Sequence, residues 1–273
     1  MNTHIGFRES VSKTLSDLPK LNQDIVIRLE NVSVAYRIPQ EQVSGIKEFA
    51  IRWLQRRIRY RKFLALRNVN LSIHKGENFG IVGRNGAGKS TLLKLIARVL
   101  IPTEGRVWVI GNVAPLLELG AGFHPELTGR ENVYLYGTLL GYKRAEIDAL
   151  FESIVDFAEI WDFIEAPLRT YSTGMVARLA FATATCSPPD IILVDEVLSV
   201  GDMNFQKKCM ERMQGFVAQG TTLLIVSHNM SIIRQMCDRA AWLSHGELMA
   251  MGLACDVVAE YSGGATIMSS SPS

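Results

Sequence analysis

Short, wholly apolar runs alternate along this chain with stretches whose apolar residues recur every three or four positions. Ile191 to Val194 and Thr222 to Val226 are runs of the first kind, the pattern of strands buried on both faces of a parallel sheet. Ile25 to Ala35 alternates and is rich in β-branched residues, which predicts one or two strands. Phe63 to Ile73 and Gly105 to Ile110 add strand regions, and His74-Lys75-Gly76-Glu77 reads as a turn. The helical period runs from Asn132 to Ile164, in Leu135, Leu139 and Leu140 and then Ile147, Leu150, Phe151 and Ile154. Helices are also predicted at Ser90 to Leu100, Ala177 to Thr185, Phe205 to Gln219 and Met230 to Cys237. A strand pair within Ala240 to Met251 and a helix to Tyr261 close the pattern. Strands alternating with helices predict an α/β core with a parallel sheet. The helix-rich stretch of about 112–187 reads as an inserted helical subdomain, residues 1–24 as a polar arm, and 263–273 as a small, polar, disordered tail.

Composition narrows the setting. At 273 residues, 48% hydrophobic and 21% charged, the chain can bury a large core. A formal net charge of +2 argues against a broad nucleic-acid surface, so no nucleic-acid partner is expected. The four cysteines (Cys186, Cys209, Cys237, Cys255) form no CxxC pair and read as reduced thiols of a cytosolic protein. No signal-peptide core and no apolar run of membrane-spanning length is present, so any work at a membrane is expected to be peripheral.

The candidate chemistry starts at Gly83-Arg84-Asn85-Gly86-Ala87-Gly88-Lys89-Ser90-Thr91. This is a phosphate-binding loop between an apolar run (Asn78 to Val82) and a helix. Its glycines let backbone N–H groups face a triphosphate, Lys89 can reach the β- and γ-phosphates, and the Ser90 hydroxyl can ligate Mg²⁺. The helix that follows aims its positive dipole end at the same anion. About a hundred residues on, an apolar strand delivers Asp195, suited to hold Mg²⁺, and Glu196, placed to polarise an attacking water. His228 follows another buried strand, on the edge of a parallel sheet where ligands bind, and can donate to a γ-phosphate. Tyr171-Ser172-Thr173-Gly174-Met175 opens a helix and forms a second anion turn. One nucleotide does not need two such cradles. A head-to-tail dimer, in which this turn closes over ATP held by the partner's phosphate loop, explains both.

These four motifs, in this order and spacing, resemble the ATPase domain of ABC transporters over about residues 25–255, within a domain expected to span 25–262. The resemblance implies a P-loop NTPase of ABC type: a parallel-sheet core with an antiparallel β subdomain and the inserted helical subdomain. It further implies that Tyr36 stacks on adenine and that Asp202 is a dimer contact. Gly122-Phe123-His124-Pro125-Glu126-Leu127-Thr128-Gly129-Arg130-Glu131-Asn132, together with YSTGMVARLAFA (171–182), DEVLSVGD (195–202) and FQKKC (205–209), is similar to the ATP-binding subunits that export O-antigen, capsule and teichoic-acid polymers. The implied partners are a second copy, a separate polytopic permease and, indirectly, a lipid-linked polysaccharide, at the cytoplasmic face of the inner membrane. Two departures stand out. Thr173 and Met175 replace the Gly and Gln usual in the signature turn, while Ser172 and Gly174 are intact. No Gln stands in the loop that normally senses Mg²⁺, where Glu118 is the nearest polar candidate.

The segment of about 40–62 is an insertion. Ile46, Phe49, Ala50, Trp53 and Leu54 share one helical face, and Arg52, Arg56, Arg57, Arg59, Arg61 and Lys62 form a basic cluster. Such a helix suits an anionic membrane surface, a binding partner or the chain's own domain. Rival functions are a soluble ABC protein of ribosomes or DNA, which usually carries two ATPase domains or a long coiled coil, and a P-loop kinase or GTPase, which has no use for a second phosphate turn. An importer subunit differs from the exporter only in the softer segments. Only about twenty residues follow the core, so recognition of a particular polymer is expected to lie with the permease.

Overall fold

The computed structural model describes residues 24–39, 60–117, 119–195 and 201–269. The arm, most of the basic insertion (with Ile46, Phe49, Trp53 and Arg52 to Arg59), Glu118, Glu196 and the last four residues lie outside these. A six-stranded sheet forms the centre, in the order β5 (Val113–Leu116), β6 (Ile191–Asp195), β7 (Thr222–Val226), β3 (Asn78–Val82), β8 (Arg239–Ser244), β9 (Glu247–Leu253). All neighbours are parallel except β8 and β9, which form an antiparallel hairpin. The pairing is dictated by apolar runs: every residue of β7 is buried, as are the first four of β6. Alternate side chains serve two cores. Ile191, Leu193, Leu224 and Val226 face one; Ile192, Val194, Leu223 and Ile225 face the other.

On the first face lie α1 (Lys89–Ile96) and a three-stranded antiparallel sheet, ordered β2 (Tyr60–His74), β1 (Ile25–Pro39), β4 (Glu104–Val109). The alternation of Ile25 to Ala35 thus belongs to one long strand, which continues to Pro39. Arg61 and Lys62, expected in the basic cluster after a helix, already belong to β2, where they pair with Ile38 and Arg37. On the second face lie α2 (Gly129–Leu139), α3 (Arg144–Ala158) and α4 (Thr173–Ala184), with α5 (Met203–Ala218), α6 (Met230–Met236) and α7 (Ala254–Ser269) completing the layer.

Local chemistry fixes the helix starts. At α2, Thr128 Oγ1 accepts from Glu131 N (3.2 Å) and Glu131 Oε2 accepts from Thr128 N (2.8 Å), a reciprocal capping box. One turn further on, fully buried Asn132 gathers the chain that leads into the helix: its Nδ2 donates to the carbonyls of His124, Leu127 and Thr128, and its Oδ1 accepts from His124 N. Gly129 is packed so tightly that a Cβ there would stand 2.2 Å from the Tyr171 hydroxyl. That hydroxyl donates to Phe163 O at 2.6 Å. The segment Gly122 to Asn132 therefore seats the turn that begins at Tyr171.

Two boundaries differ from the sequence reading. The helical insertion expected from about 112 opens instead with Val113–Leu116, a strand of the central sheet. Four residues containing Pro115 carry too little pattern to read as a strand, and the proline is tolerated because this strand is at the sheet edge. In place of the disorder expected from Gly263, α7 continues to Ser269. Val257 and Val258 are buried and Ser262 Oγ donates to Val258 O, so a docked first half propagates the helix past the glycines.

Candidate functional site

The phosphate loop runs from the end of β3 into α1, and its glycines answer to specific neighbours. A Cβ on Gly83 would stand 2.3 Å from Leu243 O, and one on Gly88 would stand 2.6 Å from Ala65 O. Gly88 also caps α1 in the left-handed region (φ 106°), where glycine alone is unstrained. From below, the β8–β9 turn supports the loop: Gly246 N donates to Ala87 O at 2.9 Å, and Arg67 N donates to Gly246 O at 2.8 Å. Lys89 is buried, with its Nζ donating to Gly83 O (2.9 Å) and Arg84 O (3.1 Å). Its ammonium is thus held inside the curve of the loop, where a triphosphate would meet it.

A cleft of about 540 Å³ opens above this loop, lined by Tyr36, Phe63, Asn85, Gly86, Gly88 and Lys89 to Thr91, with Ala65, Leu117 and Asp195. Tyr36 and Phe63 are register partners across β1 and β2, and both are exposed. Sequence reasoning singled out Tyr36 and missed Phe63. The available signal was the strand pairing, which puts an aromatic opposite an aromatic. Such a pair offers a flat apolar wall to a base.

Asp195 ends β6, two strands from β3, and its Oδ2 accepts from Ser90 Oγ at 3.3 Å. Two oxygens in adjacent positions around Mg²⁺, each about 2.1 Å from the ion, stand about 3 Å apart, so this pair fits such a cation directly or through water. His228 lies exposed just past β7, the strand between β3 and β6. Its neighbours are fixed: Ser227 Oγ accepts from Asn229 N, and Asn229 Oδ1 accepts from the first amides of α6. Lys89, Ser90, Asp195 and His228 therefore converge on the carboxyl ends of adjacent strands, where parallel sheets bind ligands.

Ser172 and Gly174 are elsewhere. They line a second cleft of about 460 Å³ with Thr173, Met175, Ala177, Arg178, Gly201 and Asp202, and the two clefts share no residue. Ser172 Oγ accepts from Met175 N (3.2 Å) as the N-cap of α4. Its own proton remains available to donate, and the helix dipole points the same way. Asp202, expected at a dimer contact, caps α5 by accepting from Phe205 N at 2.9 Å and pairs with Arg178. The Phe205 amide, more than the nearby guanidinium, holds its carboxyl below the usual range. Among the described residues no helix is long and apolar enough to cross a membrane.

Comparison with known proteins agrees with this geometry. The ABC transporter family model matches residues 66–199. The O-antigen export system ATP-binding protein RfbB of Klebsiella pneumoniae is 45% identical over 238 residues, 86% of this chain and 97% of that protein. The teichoic acids export ATP-binding protein TagH of Listeria monocytogenes is 38% identical over 241 residues, 88% of this chain and 71% of that protein. Among solved structures, the dimeric post-hydrolysis state of the ATP-binding cassette MJ0796 with ADP and Pi superposes with a TM-score of 0.64 at 25% identity, covering 84% of this chain and 98% of that one. The chain is an ATP-hydrolysing member of the ABC transporter family, of the polysaccharide-exporter type.

Proposed function

We propose that this chain powers export of a lipid-linked, O-antigen-like polysaccharide through a separate polytopic permease, as a head-to-tail homodimer at the cytoplasmic face of the inner membrane. The observation that carries the dimer is the separation of the two anion-binding turns into clefts without a common residue. The polymer class is supported by likeness to RfbB over nearly that protein's whole length. The likeness to TagH supports a second reading, teichoic-acid export by the same mechanism.

In this reading adenine stacks on Tyr36 and Phe63. The amides of the loop from Gly83 to Thr91, with Lys89, bind the phosphates, while Ser90 and Asp195 would hold Mg²⁺, which offsets phosphate charge when bound. Ser172 and Gly174 of the second copy donate to the γ-phosphate. Glu196 takes the proton of the attacking water, and His228 donates to the oxygen on which charge develops. Glu118, in the loop that usually carries Gln as a sensor of Mg²⁺ and permease, would be a further contact to Mg²⁺ and the polar link towards the permease. The stretch of 46–62 is proposed to touch anionic headgroups. Vesicle flotation unchanged by Arg56, Arg57, Arg59 and Arg61→Ser would refute that contact.

The test is Glu196→Gln in the full chain. It is expected to retain ATP binding, to accumulate an ATP-bound dimer and to lose turnover, and in cells to leave lipid-linked polymer on the cytoplasmic side. Near wild-type hydrolysis in that variant would remove Glu196 from its role. Normal surface polysaccharide in a strain carrying it would remove the transport reading.

A further inference from the structure

Arg178 lies on α4, six residues after Ser172, and its guanidinium touches three elements at once. It donates to Asp202 Oδ2 at the start of α5 and to Glu159 Oε2 at 3.2 Å, just past the end of α3. Its Cζ lies 4.8 Å from the centre of the Phe205 ring. Gly201, with φ +70°, leaves so little room that a Cβ would stand 3.2 Å from Arg178 Nε. Glu159 is in turn gripped by Lys208 Nζ at 2.8 Å, and Lys208 lies over the Phe157 ring. Two carboxylates and two cations therefore form one continuous series, Asp202–Arg178–Glu159–Lys208, over an aromatic floor of Phe157, Phe181 and Phe205.

The placement of this group is what matters. Helices α3 and α4 belong to the helical part of the molecule, whereas α5 follows the strand that carries Asp195. Arg178 bridges the two at the cleft lined by Ser172, Gly174, Gly201 and Asp202. Its side chain is only 19% exposed, while Asp202 and Glu159 are each more than half exposed. The arginine is thus the anchored member, and the carboxylates are what it holds. A planar fork with diverging donors and a face for Phe205 suits this task, and an ammonium does not.

We propose that Arg178 is a positioning residue for ATP hydrolysis: it locks the Gly201–Asp202 turn to the Ser172 turn, so that both meet the second copy's nucleotide as one preformed surface. This rests on the dimer reading above. Asp202 then reaches the partner as a fixed group, both of its oxygens being already engaged within its own chain.

The experiment compares Arg178→Met and Arg178→Lys with wild type, in hydrolysis against ATP concentration, in binding of a fluorescent ATP analogue to the dilute chain, and in ATP-driven dimerisation of each on a Glu196→Gln background. The methionine variant is expected to lose about tenfold or more in kcat and to need several-fold more ATP to dimerise, as misplacement of reacting groups predicts. Binding of the analogue to the chain's own phosphate loop should stay within about twofold, and lysine should restore only a minor part. Wild-type kcat and dimerisation in the methionine variant would overturn the proposal, as would full rescue by lysine. Should Arg178→Met not fold, Asp202→Asn, which keeps the cap and removes the ion pair, must show the same split or the proposal fails. If Glu196→Gln alone forms no ATP-bound dimer, the underlying dimer reading fails instead.

Discussion

Gly246 does not line the nucleotide cleft, yet replacing it by alanine should both destabilise the chain and weaken its grip on ATP. Its φ of +83° is in the left-handed region, which costs an alanine roughly 1–2 kcal/mol. The new Cβ would stand 2.7 Å from Ala65 O and 3.1 Å from Leu66 Cα, so backbone and not a pliant side chain must give way. Two hydrogen bonds are at stake, Arg67 N to Gly246 O and Gly246 N to Ala87 O, worth about 1 kcal/mol each. With partial relaxation the sum is about 2–4 kcal/mol, or roughly 4–7 °C in Tm for a chain of this size. Because Ala87 belongs to the phosphate loop, affinity for the fluorescent ATP analogue should fall several-fold as well. Gly252→Ala, in the strand that follows the turn, is the control: its Cβ would meet nothing within 4 Å. It should stay within about 0.5 kcal/mol of wild type. Thermal unfolding and nucleotide titration decide the matter. A Gly246→Ala chain that melts within about 1 °C of wild type and binds the analogue normally would refute the claim that the hairpin braces the loop.

Three further outcomes are expected. Tyr36→Ala and Phe63→Ala should each weaken ATP binding by about 1–3 kcal/mol, read as a raised KM, if both stack on the base; an unchanged KM in both would move adenine elsewhere. Asp202 and Glu159 both have lowered pKa values, the first through the Phe205 amide and the second through Lys208, and the charges facing them are Arg178 and Lys208. A depressed folded pKa gives stability that is present above the unfolded value and lost as pH falls through the folded one, so this joint should persist at pH 5 and weaken only below about 4. Loss of its stabilisation between pH 7 and 5, in wild type against Arg178→Met, would contradict that. Burial pushes the thiols of Cys209 and Cys237 up to about 12, whereas Cys255 is exposed. A thiol reagent at pH 8 should therefore label Cys255 first and reach the buried pair only on unfolding, as mass mapping would report.

The legible parts of this chain are those whose chemistry is local. Gly88, Lys89 and Ser90 are adjacent, so their spacing alone announces a phosphate loop. Ile191 to Val194 and Thr222 to Val226 are almost wholly apolar because both faces are buried, and few other environments demand such a run. What stays hidden depends on contacts between distant segments. Val113–Leu116 becomes a strand only because β6 offers it an edge. Phe63 lines the cleft because the register of β1 and β2 sets it opposite Tyr36. Arg178 and Asp202 are 24 positions apart and belong to separate motifs, and nothing in either motif shows that they meet. The segment from Gly122 to Asn132 is an intermediate case. Its residues are visible as a pattern, but their purpose appears only when Asn132 gathers three carbonyls and Gly129 makes room for the Tyr171 hydroxyl.

The strand order has a consequence for dimension. Placing β7 between β3 and β6 separates the phosphate-loop strand from the Asp195 strand by two hydrogen-bonding steps, about 9.6 Å. The sheet thus acts as a ruler whose gauge is the backbone spacing itself, and no side-chain substitution can alter it. Ser90 crosses that interval from α1, and His228 rises from its middle. In the proposed mechanism, the width available to the reacting phosphate and its water is then set by main-chain geometry, which leaves side chains free to tune charge and the loops free to tune what the energy is used for.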